Sequence, residues 1–477
     1  MKYKSWRKQH KWFGLILALF LVSFSVSGLV LNHASLFAHI DVGRDMFPRQ
    51  YRYHQWNNGL VRGSMAWDDH VLLYGNNGIY LTDSTARQFA DFNEGLPTGA
   101  DLRNMRGLAV TRDHHLFAAA TRQLYRLSYH GQWKAVALRT DEGEMLSDIT
   151  IHGDSLIVTG RSHVYLSLPP YRRFAKITLL PPSGHDGRVS LFRTVWLLHS
   201  GALFGIIGRL IVDAMAFLFI FLSLSGIVTL VMDLTGNSRQ LRMRKRLLHW
   251  HNRVGKVSVG LALFVTVTGW LLRPPGLAAI AYGRVPAMPL SIMDTDNAWT
   301  EELRTLRYDE GMGDWLLSSS KGFYSLNNLH AVPRPIPRQP DVSVMGVNVQ
   351  ETDHQGTWLI GSFSGLEIWN RHRDTCIDAF THKPAVRQRI PVSDHLVAGY
   401  VSGLVRGGSL IDYFHGGDFA AMPQWMEGLP MSLRALCLEI HTGRIYPVIG
   451  STIFYIFIIG LAIVWCLYSG WKLRKRW

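Results

Sequence analysis

The chain has 477 residues, 47% of them hydrophobic, and a formal net charge of +15. That length admits two or three domains, and the apolar share, high for a soluble protein and low for one lying wholly in lipid, suggests membrane helices combined with large aqueous domains. The charge does not indicate nucleic acid, because the dense basic clusters stand beside apolar runs and read as membrane-topology signals.

The first apolar run covers residues 12–31 and follows Lys2, Lys4, Arg7, Lys8 and Lys11. It continues into Ser27-Gly28 without an Ala-x-Ala cleavage pattern, so it is expected to remain as an anchor. Three strand–turn–strand units come next, at 71–81, 116–127 and 156–166; the first turns at Asn76-Asn77-Gly78. A second apolar run, 203–232, includes Asp213. Arg239, Arg242, Arg244, Lys245, Arg246, Arg253 and Lys256 lead into a third, 257–272. Further hairpin units fall at 315–324, 358–369 and 396–405, and a fourth apolar run, 445–468, ends before Lys472, Arg474, Lys475 and Arg476.

Each run is long enough, with its flanks, to cross a bilayer as a helix. If the helices alternate, all three basic clusters share the cytoplasmic side. The expected order is helix one with a cytoplasmic N-terminus (1–33), the first half of an outer β domain (34–192) and helix two (193–235). A basic cytoplasmic loop (236–250), helix three (251–273), the second half of the β domain (274–433) and helix four with a cytoplasmic C-terminus (434–477) follow.

The chain is internally duplicated. His10-Lys-Trp-Phe-Gly14 and His251-Asn-Arg-Val-Gly255 open runs one and three, followed at one offset by Ser27-Gly28 and Thr268-Gly269. Leu198-His199-Ser200-Gly201 and Ile440-His441-Thr442-Gly443 open runs two and four, which reach Gly208 and Gly450 and end near Ser225-Gly226 and Ser469-Gly470. The shifts are 241 from His10 to His251 and 242 from His199 to His441. The hairpin units repeat at nearly the same shift: Gly78 aligns with Gly322, Gln123 with Gly365 and His163 with Gly403. Three units per half, about 40 residues apart, predict one β-propeller-like domain of six or seven blades built by both long loops. Two separate β-sandwich-like domains are the alternative.

Histidine at a membrane edge is costly unless it has a role. The duplication places His10 and His251 near the cytoplasmic face, and His199 and His441 near the outer one. Two imidazoles from facing helices can clamp a haem, so the set predicts two b-type haems with bis-histidine iron. The glycines near His199 and His441 are expected to allow close backbone approach, or to cap and pack the helices. His249 competes with His251 but points to nearly the opposite side of a helix. His33 lacks a counterpart, since the second half reads Arg273-Pro274-Pro275, and is expected at the rim. Arg193 and Arg434 can pair with haem propionates or reach lipid headgroups. Asp213 suits a helix–helix hydrogen bond better than proton transfer. There is no Cys-x-x-Cys-His, so c-type attachment is not indicated; Cys376 and Cys437 are expected outside, and Cys466 in the last helix.

These motifs, in this order and topology, resemble the PepSY-associated transmembrane family, whose helices carry a Trp/Leu-His-Arg-x-x-Gly opening with a distal Thr-Gly pair and a Leu-His-x-Gly opening on the returning helix. The resemblance covers the membrane segments, and the outer loops show no PepSY domain. It implies a bacterial inner-membrane di-haem reductase for ferric siderophores, with His10 and His251 on the cytoplasmic-side haem and His199 and His441 on the periplasmic-side haem. Electrons are then expected from a separate reductase, a quinol or a soluble carrier, since no flavin or nicotinamide fingerprint appears. A periplasmic binding or sensory module on a helical anchor is the competing reading, and a two-repeat transporter is weaker because both repeats start on the same side.

Overall fold

The computed structural model describes residues 3–235, 241–343, 346–385, 393–405, 407–445 and 452–473. Lys2, Arg239, Gly450, Arg474, Lys475 and Arg476 lie outside the described residues. The helices in chain order are α1 (Tyr3–Asn32), α2 (Leu191–Ser200), α3 (Gly205–Thr235), α4 (Leu241–Leu271), α5 (Gly276–Ile280), α6 (Gln424–Glu427), α7 (Leu433–His441) and α8 (Thr452–Leu473). The chain divides into two units: 1–37, 186–294 and 433–477 form a helical one, and 38–185 with 295–432 form a β-rich one.

Among the described residues, four helical stretches are long and apolar enough to cross a membrane: Lys4–Asn32, Ala202–Thr235, Leu241–Leu271 and Tyr455–Leu473. In this membrane protein α1 packs against α3 and α8, and α4 packs against the same two helices. Each of the four contributes to a central apolar cluster: Leu21 from α1, Met215 and Phe219 from α3, Ala262 from α4 and Leu467 from α8. Outward residues such as Leu19, Ile207 and Val257 are exposed, as lipid-facing positions are. The strand pair Arg188–Ser190 and Arg284–Pro286 belongs to this unit.

One expectation for these helices is corrected. His199 and His441 do not open membrane helices; they close the short helices α2 and α7. The chain breaks behind each at a left-handed glycine, Gly201 at φ +76° and Gly443 at φ +73°, a conformation glycine adopts without a Cβ clash. Gly201 caps α2, its N–H reaching the Leu198 carbonyl. A Cβ on Gly201 would lie 2.1 Å from the Gly208 carbonyl oxygen, and one on Gly443 2.2 Å from the Tyr455 ring. Gly201, Gly208 and Gly443 therefore serve the chain break, not the approach of a macrocycle.

In the β-rich unit, five four-stranded antiparallel meanders follow one another. The first is Gly63–Trp67, His70–Gly75, Gly78–Asp83 and Phe89–Asp91; the second spans Met105–Val110 to Trp133–Val136, and the third Leu146–His152 to Ala175–Ile177. The fourth runs from Leu303–Asp309 to Arg334–Pro335 and the fifth from Val349–Thr352 to Thr375–Asp378. A final antiparallel pair, Val397–Val401 and Ser409–Asp412, joins the first sheet through a parallel contact of Tyr400 with Gly63. The 396–405 unit thus departs from expectation: the partner strand begins at Ser409 rather than directly after Gly403.

Strand alternation sends neighbouring residues to opposite faces, so each sheet is buried on both sides. Leu72 packs with Met105 and Leu116 of the second sheet, whereas Val71 and Leu73 pack with Val401 and Ile411 of the final pair. Phe117 joins Ile149 and Leu156, Ile157 joins Leu306 and Leu317, and Leu316 joins Trp358 and Trp369. Val349 and Leu366 then meet Val397. Consecutive sheets share cores, and so do the last and the first. Trp315, Trp358 and Trp369 are all core residues. The turn glycines Gly78, Gly322 and Gly365 have φ of +120°, +125° and +118°, so one turn geometry recurs in three hairpins.

Candidate functional site

The four repeat-matched histidines meet in two pairs. The rings of His10 on α1 and His251 on α4 have centroids 6.3 Å apart. Those of His199 on α2 and His441 on α7 are 6.0 Å apart. Two imidazole–metal bonds of about 2 Å each, with each centroid about 1 Å behind its nitrogen, would set centroids about 6 Å apart. The spacing therefore fits one six-coordinate metal held between each pair.

Each ring is held through Nδ1 by a hydroxyl–glycine pair on a neighbouring helix. His10 Nδ1 donates to the Cys466 carbonyl and to Ser469 Oγ, both at 3.1 Å. His199 Nδ1 donates to the Val265 carbonyl at 3.1 Å and Thr268 Oγ1 at 3.2 Å. His251 Nδ1 donates to Ser225 Oγ at 2.8 Å. His441 Nδ1 donates to the Phe24 carbonyl at 3.1 Å and Ser27 Oγ at 3.0 Å.

The hydrogen-bond network assigns the tautomer. A carbonyl only accepts, and each hydroxyl gives its own proton back to its helix: Ser469 to the Cys466 carbonyl, Thr268 to Phe264, Ser225 to Leu222 and Ser27 to Ser23. Nδ1 must then carry hydrogen, which leaves the Nε2 lone pair available. Among the described residues no hydrogen-bond partner meets Nε2 of these rings. A metal-bound histidine ordinarily anchors its second nitrogen in this way.

In three of the four pairs the glycine leaves the ring room that a Cβ would crowd. A Cβ on Gly269 would lie 2.6 Å from His199 Cε1, on Gly470 3.0 Å from His10 Cε1, on Gly28 3.3 Å from His441 Cε1 and on Gly226 3.6 Å from His251 Cε1. The cradle always comes from the other half of the duplication: Ser469-Gly470 holds His10, and Ser27-Gly28 holds His441. The sequence displayed these pairs as repeat markers, but their function as cradles appears only once the helices pack. Gly14 and Gly255 lie one turn beyond His10 and His251 and meet their surroundings at ordinary contact distance. A Cβ there would meet only Cys466 Sγ at 3.8 Å or Leu222 Cδ2 at 3.7 Å.

The donor set, the ring spacing and the tautomer fit haem iron; His10 with His251 would hold one group, and His199 with His441 the other. Ser27 follows His10 on α1 at a rise of about 25 Å at 1.5 Å per residue, which separates the two layers.

The competing residues lie elsewhere. His249 is exposed beside Trp250. His33 is hydrogen-bonded to Asp213 at 2.7 Å. His39 and His114 are exposed. All three cysteines are free thiols. Among the described residues one other grouping, Asp141, Glu144 and His163, brings ligand-type atoms within 4.8 Å of one another. Glu144 is already saturated: Oε1 accepts from the N–H of Ser162 and His163, and Oε2 from His163 Nδ1 and Tyr165 Oη. Lys176 pairs with Asp141, so this cluster is a structural knot.

No curated protein matches the chain in sequence. Among solved structures it is similar to the extracellular domain of BT4673, described as a hybrid two-component system, from B. thetaiotaomicron. The identity is 10% and the TM-score 0.37, covering 76% of this chain and 32% of that one. It is also similar to PorZ, a surface component of the type-IX secretion system of Porphyromonas gingivalis, at 12% identity and a TM-score of 0.32 over 78% of this chain and 39% of that one. The chain thus spans about a third of those structures' length, and at such scores neither likeness establishes a shared fold. The sequence profile of the PepSY-associated TM region matches residues 158–474, a span that takes in His199, His251 and His441 with three of the four cradles. The chain belongs to the PepSY-associated TM region family.

Proposed function

We propose that the chain is a di-haem b-type oxidoreductase of the bacterial inner membrane that passes electrons across the bilayer to a periplasmic ferric siderophore or other ferric chelate. The observation that carries this reading is the twice-repeated pair of opposed imidazoles, each anchored at Nδ1 and open at Nε2, at the spacing a shared iron requires. Bound haem would supply the one-electron chemistry.

The chain's own residues do the rest. The hydroxyls of Ser27, Ser225, Thr268 and Ser469 hold the four rings in one tautomer, and the glycines beside them let the helices close around each ring. The apolar cluster of Leu21, Met215, Phe219, Ala262 and Leu467 keeps water from the space between the layers. In this reading the basic clusters hold both termini in the cytoplasm, and electrons enter at His10 and His251 from a cytoplasmic or quinol donor. The five successive four-stranded meanders and the final strand pair of the β-rich unit are read as a six-bladed propeller in the periplasm that receives the acceptor.

The test is the spectrum of the purified protein in detergent, oxidised and dithionite-reduced, with a pyridine haemochrome count. About two b-type haems per chain, bis-histidine by their spectra, are expected. A protein that stays colourless after expression with added haem would sink the reading and favour a membrane-anchored binding or sensory module.

A further inference from the structure

The two short helices that end in histidine are not secured alike. Helix α2 stops at Ser200, one residue beyond His199, and its last carbonyls lose their helical partners at the Gly201 break. The Ser200 carbonyl is met instead by Asn32, at the end of α1, whose Nδ2 donates to it at 3.1 Å. The same Nδ2 donates at 3.1 Å to Oδ1 of Asp213. That carboxylate is buried in the apolar run of α3, and its Oδ2 accepts from His33 Nε2 at 2.7 Å. One buried carboxylate thus ties the end of α1 and the end of α2 to α3.

The second half carries different residues at the matched positions. At the repeat shift, Arg273 stands in place of Asn32 and Tyr455 in place of Asp213. The residue after His441, Thr442, turns its hydroxyl back to the Leu438 carbonyl of its own helix. His199 is also the ring seated hardest against its cradle, since Gly269 leaves the least room of the four glycines. A small drift of α2 would lift the ring from Thr268.

We propose that Asp213 and Asn32 are positioning residues for His199, holding the end of α2 so that the imidazole keeps its place against Thr268-Gly269. An ionisable group kept inside an apolar helix calls for a role, and orienting a donor that pins a ligand-bearing helix end supplies one. This rests on the di-haem reading for its consequence, a fixed ligand at one of two haems, but not for the clamp itself.

The experiment compares wild type with Asn32→Ala, Asp213→Asn and His33→Ala in the full-length protein. Amide exchange over 191–200 and 433–441 is followed together with the two haem midpoint potentials. Asn32→Ala should speed exchange in α2 by about tenfold or more and leave α7 unchanged, because only α2 loses a capping partner. One midpoint potential should move and the other stay. Asp213→Asn, which keeps the shape and an accepting oxygen, should give a smaller change of the same pattern, and His33→Ala the smallest.

Exchange in α2 equal to wild type overturns the clamp. Faster exchange with both potentials unmoved overturns its hold on His199 and leaves a merely structural contact. Wild-type protein without haem would end the di-haem reading, and the exchange data would still decide the clamp.

Discussion

The helical and β-rich units bury polar groups for opposite ends. In the β-rich unit buried charges are closed off by partners. Asp309 takes the Trp358 indole N–H at 2.8 Å and Arg371 at 2.6 Å, Arg371 also binds Asp314, and Arg307 grips Asp148. Nothing in such a knot is left to bind a ligand, and its value is to lock neighbouring sheets together. Among the described residues of the helical unit, four partly buried imidazoles are bonded on one nitrogen only, and their rings approach one another in pairs. An imidazole that donates at Nδ1 keeps its Nε2 lone pair, so four acceptors remain available to a ligand.

The sharpest way to break this contrast is to remove a ligand. His199→Ala and His251→Ala should each lower the haemochrome count from about two per chain to about one, and the double variant should bind none. Equal spectra for all three would dissolve the pairing of histidines into separate sites.

The glycine cradles give a graded test within the helical unit. Gly269→Ala forces a Cβ to 2.6 Å from His199 and should displace that ring, with loss or a large spectral shift of one haem. Gly226→Ala places its Cβ at 3.6 Å from His251, an ordinary contact, and should leave the spectrum as it is. Gly470→Ala and Gly28→Ala belong between them. The order of the four effects, read by low-temperature absorbance, is the prediction.

Substitutions in the β-rich unit should move stability and leave the spectrum alone. Glu144→Ala strips two backbone N–H groups and Tyr165 of their acceptor and should cost the β-rich unit about 2–4 kcal/mol in denaturant unfolding. Burial pushes the Glu144 carboxyl up, but hydrogen bonds from His163, Tyr165 and the Ser162 N–H outweigh burial and hold it below its usual 4.5. Its contribution is therefore present above about pH 4.5 and lost as pH falls through the lower folded value. An acid limb of the unfolding curve that survives in Glu144→Gln would contradict this.

The smallest effect is expected at Glu367. Burial pushes its carboxyl up to about 7, against the hydrogen bond from the Asp341 N–H, and the carboxylates of Asp341 and Asp378 push the same way. The folded state therefore holds this proton more tightly than the unfolded chain does. The resulting stability is fully present below about pH 4.5 and declines as pH rises through 7. Glu367→Gln should be more stable than wild type at pH 8 by about 1 kcal/mol and indistinguishable near pH 4.5. Thermal melts at the two pH values check it.

Several of these features were readable before folding, for identifiable reasons. Matched offsets of 241 and 242 in two unrelated motifs singled out His10, His199, His251 and His441, because a duplicated chain keeps its special residues in register. Five of the six hairpin units coincide with strand pairs, since short turns between apolar runs are local signals. The sixth slipped because nothing local marks Ser409 as the start of the returning strand. The break after His199 and His441 was also missed. A helix and a helix that stops at a left-handed glycine share the same apolar pattern, and Gly201 reads equally well as a packing glycine.

The sequence by itself determined the apolar lengths of four membrane helices, the duplication, the hairpins and the four histidines, all of which depend on composition and spacing along the chain. Only the tertiary structure decided that each histidine is cradled by the opposite half, that Nδ1 is the bonded nitrogen in every ring, and that Asp213 meets Asn32 and His33. Those facts depend on which helix faces which, and helix facing is fixed by side-chain packing between segments far apart in the chain, which no local pattern encodes.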